Sequence, residues 1–212
     1  MALITTHIRF ALELAKYHRV NNLEKYISGT VYPDSRWVTG IDREFTHHSR
    51  FLKEDFPEND FTLGWHIHCV CDEIQNREFG LIYPEAGSMD QKERWIMFSA
   101  AKVVQDMIDL QQFDVQSMLP YLEYIETPNN ENFEQVYRFY RIIQHTYRDK
   151  GMPTPSDYGE LWLSVGLDRQ TTEKLVFKLE EILEDTEKVQ ILEVVFERMV
   201  QAYETQFVQS ST

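Results

Sequence analysis

Apolar residues recur at helical spacing along most of the chain. Residues 5–18 place Ile8, Leu12 and Ala15 on one stripe, with Ala11 and Leu14 beside it and Thr5 or Thr6 as the N-cap. The pattern fails over 28–46, where Gly29, Pro33-Asp34, Gly40 and Asp42 predict a long ordered loop or a set of turns. A stretch of that length without regular structure inside a domain usually serves function. Helix is expected again over 46–54, stopped and capped by Pro57-Glu58-Asn59-Asp60. Residues 61–76 read as a buried helix with Leu63, Ile67, Val70 and Ile74 on its apolar face. A Gly/Pro-bearing connection over 80–90 follows, then a strongly amphipathic helix over 91–112 (Trp95, Phe98, Val103, Met107, Leu110). Further helices are predicted at 115–125, 131–149, 156–165, 171–184 and 187–208. The last two form a C-terminal hairpin whose Leu175, Leu179, Ile182, Val189, Leu192 and Phe196 pack onto the core or, as the alternative, form a homodimer interface. No strand-type alternation and no internal repeat interrupts this pattern. The fold class is therefore all-α: one multi-helix domain over 1–212, with the chemistry in about 1–80 and helical packing in about 90–212.

Composition agrees. Eight Gly and seven Pro among 212 residues are few turn-makers, and 42% apolar with 26% charged residues exclude wholesale disorder. Lys and Arg number 21 against 35 Asp and Glu, a net charge of −14. That balance argues against a broad nucleic-acid surface, which needs clustered cations. An acidic chain can still act on a phosphoester if a metal ion supplies local positive charge. Cys69 and Cys71 are too close in sequence for an ordinary disulfide framework, which fits a reducing compartment. The first residues lack a basic segment followed by a long apolar run, and no stretch reaches the ~18 apolar residues of a membrane span. A cytoplasmic location is the expectation.

Six of the seven histidines lie in the first 70 residues. His68 and Asp72 are four apart, so a helix puts both on one face of an otherwise apolar segment, where an ionisable pair needs a reason. His66 falls about 200° around the helix from His68 and cannot reach the same ion, so it is expected to point outward or to lie behind the site. In Thr46-His47-His48 one imidazole turns in and its neighbour out. His18 and His145 are read as structural, and Trp37, Trp65 and Trp95 as core or pocket wall.

Thr6-His7-Ile-Arg-Phe-Ala11, Gly29-Thr-Val-Tyr-Pro33-Asp34, Thr46-His47 and Leu63-Gly64-Trp-His-Ile-His68-x-x-x-Asp72, in that order, resemble the zinc-dependent phospholipase C superfamily. That superfamily includes single-strand nucleases of the same all-helical fold. The resemblance covers about residues 5–78. It implies metal ligation by His7, Asp34, His47, His68 and Asp72, with Asp34 also in the role of catalytic base and Asp72 able to bridge two ions. The family's N-terminal amine ligand would here be Met1, six residues before His7. The family's next histidine is replaced by Glu78, and its following His-x-x-x-Glu is absent, with His145-x-x-x-Asp149 far downstream. A smaller cluster is implied, holding one Zn²⁺, or two sharing Asp72; Cys71 lies on nearly the same face.

Three neutral imidazoles and two carboxylates carry a charge that one divalent cation neutralises, and this donor set favours Zn²⁺ or another late first-row ion over Mg²⁺ or Ca²⁺. With an open coordination position, the pKa of a bound water falls toward ~7, which suits a metal-dependent hydrolase of a small phosphoester. Arg36 and Arg43 are candidate anchors for phosphate oxygens, or partners in loop ion pairs. The competing reading is a non-catalytic helical interaction domain in which the metal is a structural staple.

Overall fold

The first helix, α1 (Ile4–Leu14), begins without a side-chain cap of its own in the computed structural model, which describes residues 3–53 and 55–208. Neither Thr5 nor Thr6 is the cap. Their backbone N–H groups instead donate to the carboxylate of Asp106, at 2.8 and 3.2 Å, about a hundred residues along the chain. A fixed anion at that end satisfies donors that the helix cannot satisfy itself and complements the helix dipole. The buried face of α1 comprises Ile4 to Ile8, Phe10, Ala11 and Leu14, while Leu12 and Ala15 sit at its half-buried margin.

The expected loop over 28–46 is mostly helical. α2 (Leu23–Val31), capped by Asn22, runs through Gly29, and a 3₁₀ turn (Tyr32–Ser35) carries Pro33-Asp34. Two single-turn helices follow, α3 (Arg36–Thr39) and α4 (Glu44–His47), separated by Gly40 in the left-handed region at φ 73°. Gly29 does not make a turn. A Cβ there would stand 2.0 Å from the Phe61 carbonyl oxygen, so glycine is present because another helix crosses against it.

That helix is α5 (Asp60–Ile82), opened by an Asn59–Thr62 capping box of the kind that contributes about 1 kcal/mol. It is longer than 61–76 and passes through Gly80, so the expected connection shrinks to a 3₁₀ turn at Pro84–Gly87. Gly64 is the reciprocal contact: its Cβ would lie 2.0 Å from the Tyr26 carbonyl oxygen of α2. The expected helix over 46–54 is also shorter, since α4 ends at His47 and a 3₁₀ turn (Ser49–Leu52) follows. Glu54 lies outside the described residues, as does Met1.

α6 (Gln91–Leu110), capped by Asp90, is buried on nearly every side from Ser99 to Asp106. A 3₁₀ segment (Val115–Glu123) leads to α7 (Phe133–Tyr147) and α8 (Pro155–Ser164), and then to α9 (Arg169–Glu184). The helix expected over 187–208 breaks at Val194 into α10 (Thr186–Glu193) and α11 (Val195–Tyr203), followed by a π-type turn. The break lets α10 lie on α6 and α9, while α11 turns Val195, Phe196, Met199 and Tyr203 onto α5 and α1. The C-terminal hairpin is thus part of the single hydrophobic core. The described residues contain no strand, and the protein is all-α. No helix among them is long and apolar enough to cross a membrane.

Candidate metal centre

The five residues expected as ligands come together in the interior. His7 arrives on α1, Asp34 on the turn after α2, His47 at the end of α4, and His68 and Asp72 on α5. Their ligand atoms form two groups, His7–His68–Asp72 and Asp34–His47–His68, each with all members within 4.8 Å of one another. His68 belongs to both. Asp34 and His68 are each only 1% exposed, which makes the cluster a buried concentration of groups that repel apolar surroundings.

Backbone carbonyls and a hydroxyl orient the three imidazoles. Nδ1 of His68 donates to the Thr30 carbonyl at 2.8 Å, and Nδ1 of His7 to the Leu3 carbonyl at 3.0 Å. A carbonyl only accepts, so these rings carry their proton on Nδ1 and turn Nε2 into the cluster. Thr46 does the same for His47: its hydroxyl lies 2.8 Å from Nδ1 and 3.4 Å from the Arg43 carbonyl, which leaves Nε2 as the inward acceptor. Thr46 is itself held by α5, because its carbonyl accepts from the Trp65 indole at 2.7 Å and from the Cys69 thiol. Nε2 of His47 and Nε2 of His68 then stand 3.2 Å apart. With both Nδ1 atoms protonated, two lone pairs face each other at that distance, a contact that a proton or a metal ion between them would relieve.

Electrostatics supports the same protonation pattern. Burial pushes His47 down to about 4 and His68 well below the usual histidine value, so both rings are neutral. Burial works against ionised Asp72, but the Lys102 ammonium holds its carboxyl well below the ordinary range. Asp34 is likewise held below the ordinary carboxylate range despite its burial. His7 departs from that pattern: burial disfavours its charged form, yet neighbouring Cys71 and Asp72 raise its proton affinity well above the usual histidine value. Its Nε2 lies 3.5 Å from Asp72 Oδ1. The neutral His47 and His68 rings with ionised Asp34 and Asp72 are the protonation states that a divalent late first-row ion requires, whereas His7 would have to give up a proton to join them.

The remaining histidines divide largely as their spacing implies. His48 is exposed and its ring accepts from the Arg50 N–H. His66 does face away from His68, but it is buried rather than outward, with Nδ1 2.7 Å from the Phe51 carbonyl. His18 pairs with the Tyr203 hydroxyl at 2.8 Å. His145 lines a separate cavity between α7 and α8 and, like Glu78 and Cys71, belongs to neither ligand group.

A cavity of about 380 Å³ opens directly on Asp34, His47 and Asp72. Its walls mix Trp37, Trp95 and Phe98 with Arg36, Arg43, Arg94 and Lys102. The Arg36 guanidinium stacks 4.3 Å over the Trp37 ring, and its buried Nε has no hydrogen-bond partner among the described residues. Arg36 and Arg43 therefore border the cluster as expected, joined by two cations that the spacing argument had not singled out. Both lie on α6, where Gln91, Arg94, Trp95, Phe98, Ser99 and Lys102 fall on one helical stripe facing the cavity. A lysine on the same stripe as Trp95 and Phe98 was the available signal for Lys102. No protein-family model, curated protein or solved structure matches the chain.

Proposed function

We propose that this protein binds a divalent late first-row metal ion, most simply Zn²⁺, through residues drawn from His7, Asp34, His47, His68 and Asp72, and uses it to hydrolyse a phosphoester. The observation that carries the reading is the 3.2 Å approach of two Nε2 acceptors, flanked by two carboxylates, at the floor of a cation-lined cavity. The motif order resembling the zinc-dependent phospholipase C superfamily supports it. The bound ion would act as a Lewis acid on a phosphoryl oxygen and lower the pKa of a coordinated water.

The chain's own residues supply the rest. Arg36, Arg43 and Arg94 bind and orient the anionic phosphoryl group, whose charge the surrounding acidic surface would otherwise repel. Asp34, held ionised and 3.8 Å from His47 Nε2, accepts a hydrogen bond from the attacking water; so low a proton affinity makes it a better orienter than a proton acceptor. Lys102 fixes one carboxylate oxygen of Asp72. Trp37 and Trp95, with ring centroids 6.2 Å apart, give the leaving group an apolar wall. The open cavity favours catalysis over a metal staple, which would be closed by protein ligands on all sides. The test is zinc-dependent turnover of phosphomonoester and phosphodiester panels by wild type and His68→Ala. Activity confined to zinc-loaded wild type supports the reading, and metal-loaded protein inert across both panels overturns its catalytic half.

A further inference from the structure

We infer that Lys102 stands in for a second metal ion and limits the centre to one, seated in the Asp34–His47–His68 group. The inference rests on the metal-binding reading above. Three observations carry it.

The first is the sharing of His68. Both ligand groups require it, yet its Nδ1 is committed to the Thr30 carbonyl, so Nε2 offers the sole lone pair. One imidazole lone pair serves one ion. Filling both groups at once would leave the second ion only His7 and Asp72, and the Lys102 ammonium already holds the Asp72 oxygen it would need, so Lys102 decides whether that weaker site can fill.

The second is the way Asp72 divides its oxygens. Oδ1 accepts from the Lys102 ammonium and faces His7 Nε2 at 3.5 Å, while Oδ2 faces His47 Nε2 at 3.7 Å. Lys102 thus occupies the carboxylate oxygen that the His7–His68–Asp72 group would use, and leaves the other group whole. Its four-carbon stem comes from α6, and the residue is only 7% exposed, so the ammonium is a built part of the interior rather than a surface arm.

The third is charge. Among Asp34, Asp72 and Lys102, two carboxylates against one ammonium leave a single negative charge. One divalent ion turns this into a single positive charge, which an anionic phosphoryl group can balance. A second divalent ion would leave a buried excess of three positive charges, which the low-dielectric interior disfavours.

The experiment is native mass spectrometry of the full chain titrated with zinc, comparing wild type with Lys102→Met and Lys102→Arg. Wild type is expected to take up one equivalent, Lys102→Arg one, and Lys102→Met two, with circular dichroism confirming the fold of each. Two equivalents in wild type, or one in folded Lys102→Met, overturns the inference while leaving the metal centre standing. No uptake by wild type overturns the metal-binding reading itself, and this inference with it. If Lys102→Met does not fold, Lys102→Gln takes its place: two equivalents in the folded variant support the inference and one overturns it.

Discussion

Thr30 and His68 are joined by a 2.8 Å hydrogen bond from the imidazole Nδ1 to the backbone carbonyl, across a helix crossing that only glycine permits. Gly29 and Gly64 lie on the two sides of that crossing. The bond fixes both the tautomer and the direction of the ring shared by the two ligand groups.

Gly64→Ala should therefore damage fold and site together. Its new Cβ would meet the Tyr26 carbonyl at 2.0 Å and force α2 and α5 apart. Overpacking of this kind costs about 3 kcal/mol, more than the ~1 kcal/mol that alanine gains in helix propensity. Urea unfolding should show the loss, and zinc affinity should fall by about tenfold or more, equivalent to ~1.4 kcal/mol, as His68 leaves Thr30. Gly80→Ala is the control. Nothing lies within 4 Å of its Cβ position, so stability should rise by about 0.5–1 kcal/mol with zinc affinity unchanged.

Asp109 makes a pH-dependent contribution to stability. Burial pushes its carboxyl up to about 6, although the Thr6 hydroxyl and the Arg9 guanidinium, each at 2.6 Å, pull the other way. A carboxyl with raised folded pKa holds its proton more tightly in the folded state. Its contribution is fully present below the unfolded value near 4 and is lost as pH rises to about 6. Asp109→Asn removes that titration, so the stability difference between variant and wild type should move in the variant's favour by roughly 2–3 kcal/mol from pH 4 to pH 7. Thermal melts across that range check the sign, and a difference independent of pH would contradict it.

Arg94→Ala should separate substrate binding from metal binding. The side chain lines the cavity but belongs to neither ligand group. Zinc content should stay at the wild-type level while KM for a phosphoester rises about tenfold, the ~1.4 kcal/mol of one charge-assisted contact. Steady-state kinetics beside metal analysis distinguishes this from a change in the centre.

The helical pattern and the His68–Asp72 pair were legible because each rests on local spacing, whereas His7, Asp34 and His47 were expected only through the motif order that resembles the zinc-dependent phospholipase C superfamily. Ile67, Val70 and Ile74 mark the buried side of α5, and His68 with Asp72 share a helical face. What escaped is non-local. Gly29 looks like a turn residue until α5 crosses it, so α2 was not anticipated and its second half fell within the expected loop over 28–46. Asp106 caps α1 from about a hundred residues away, a role that no window near Thr5 reveals. Lys102 shares a stripe with Trp95 and Phe98, but its partner Asp72 lies thirty residues earlier and no local window pairs the two. The break at Val194 likewise follows from two packing surfaces, α6 with α9 and α5 with α1, rather than from a breaker residue.

The most direct test is the metal content of protein purified without a metal-affinity tag, measured by elemental mass spectrometry for wild type beside His68→Ala and Asp72→Ala. A near-stoichiometric divalent ion in wild type, absent from His68→Ala and depleted in Asp72→Ala, is the predicted result. Wild-type protein that holds no ion even after zinc reconstitution would contradict the account, because the facing Nε2 atoms of His47 and His68 would then have to be reconciled by a proton alone.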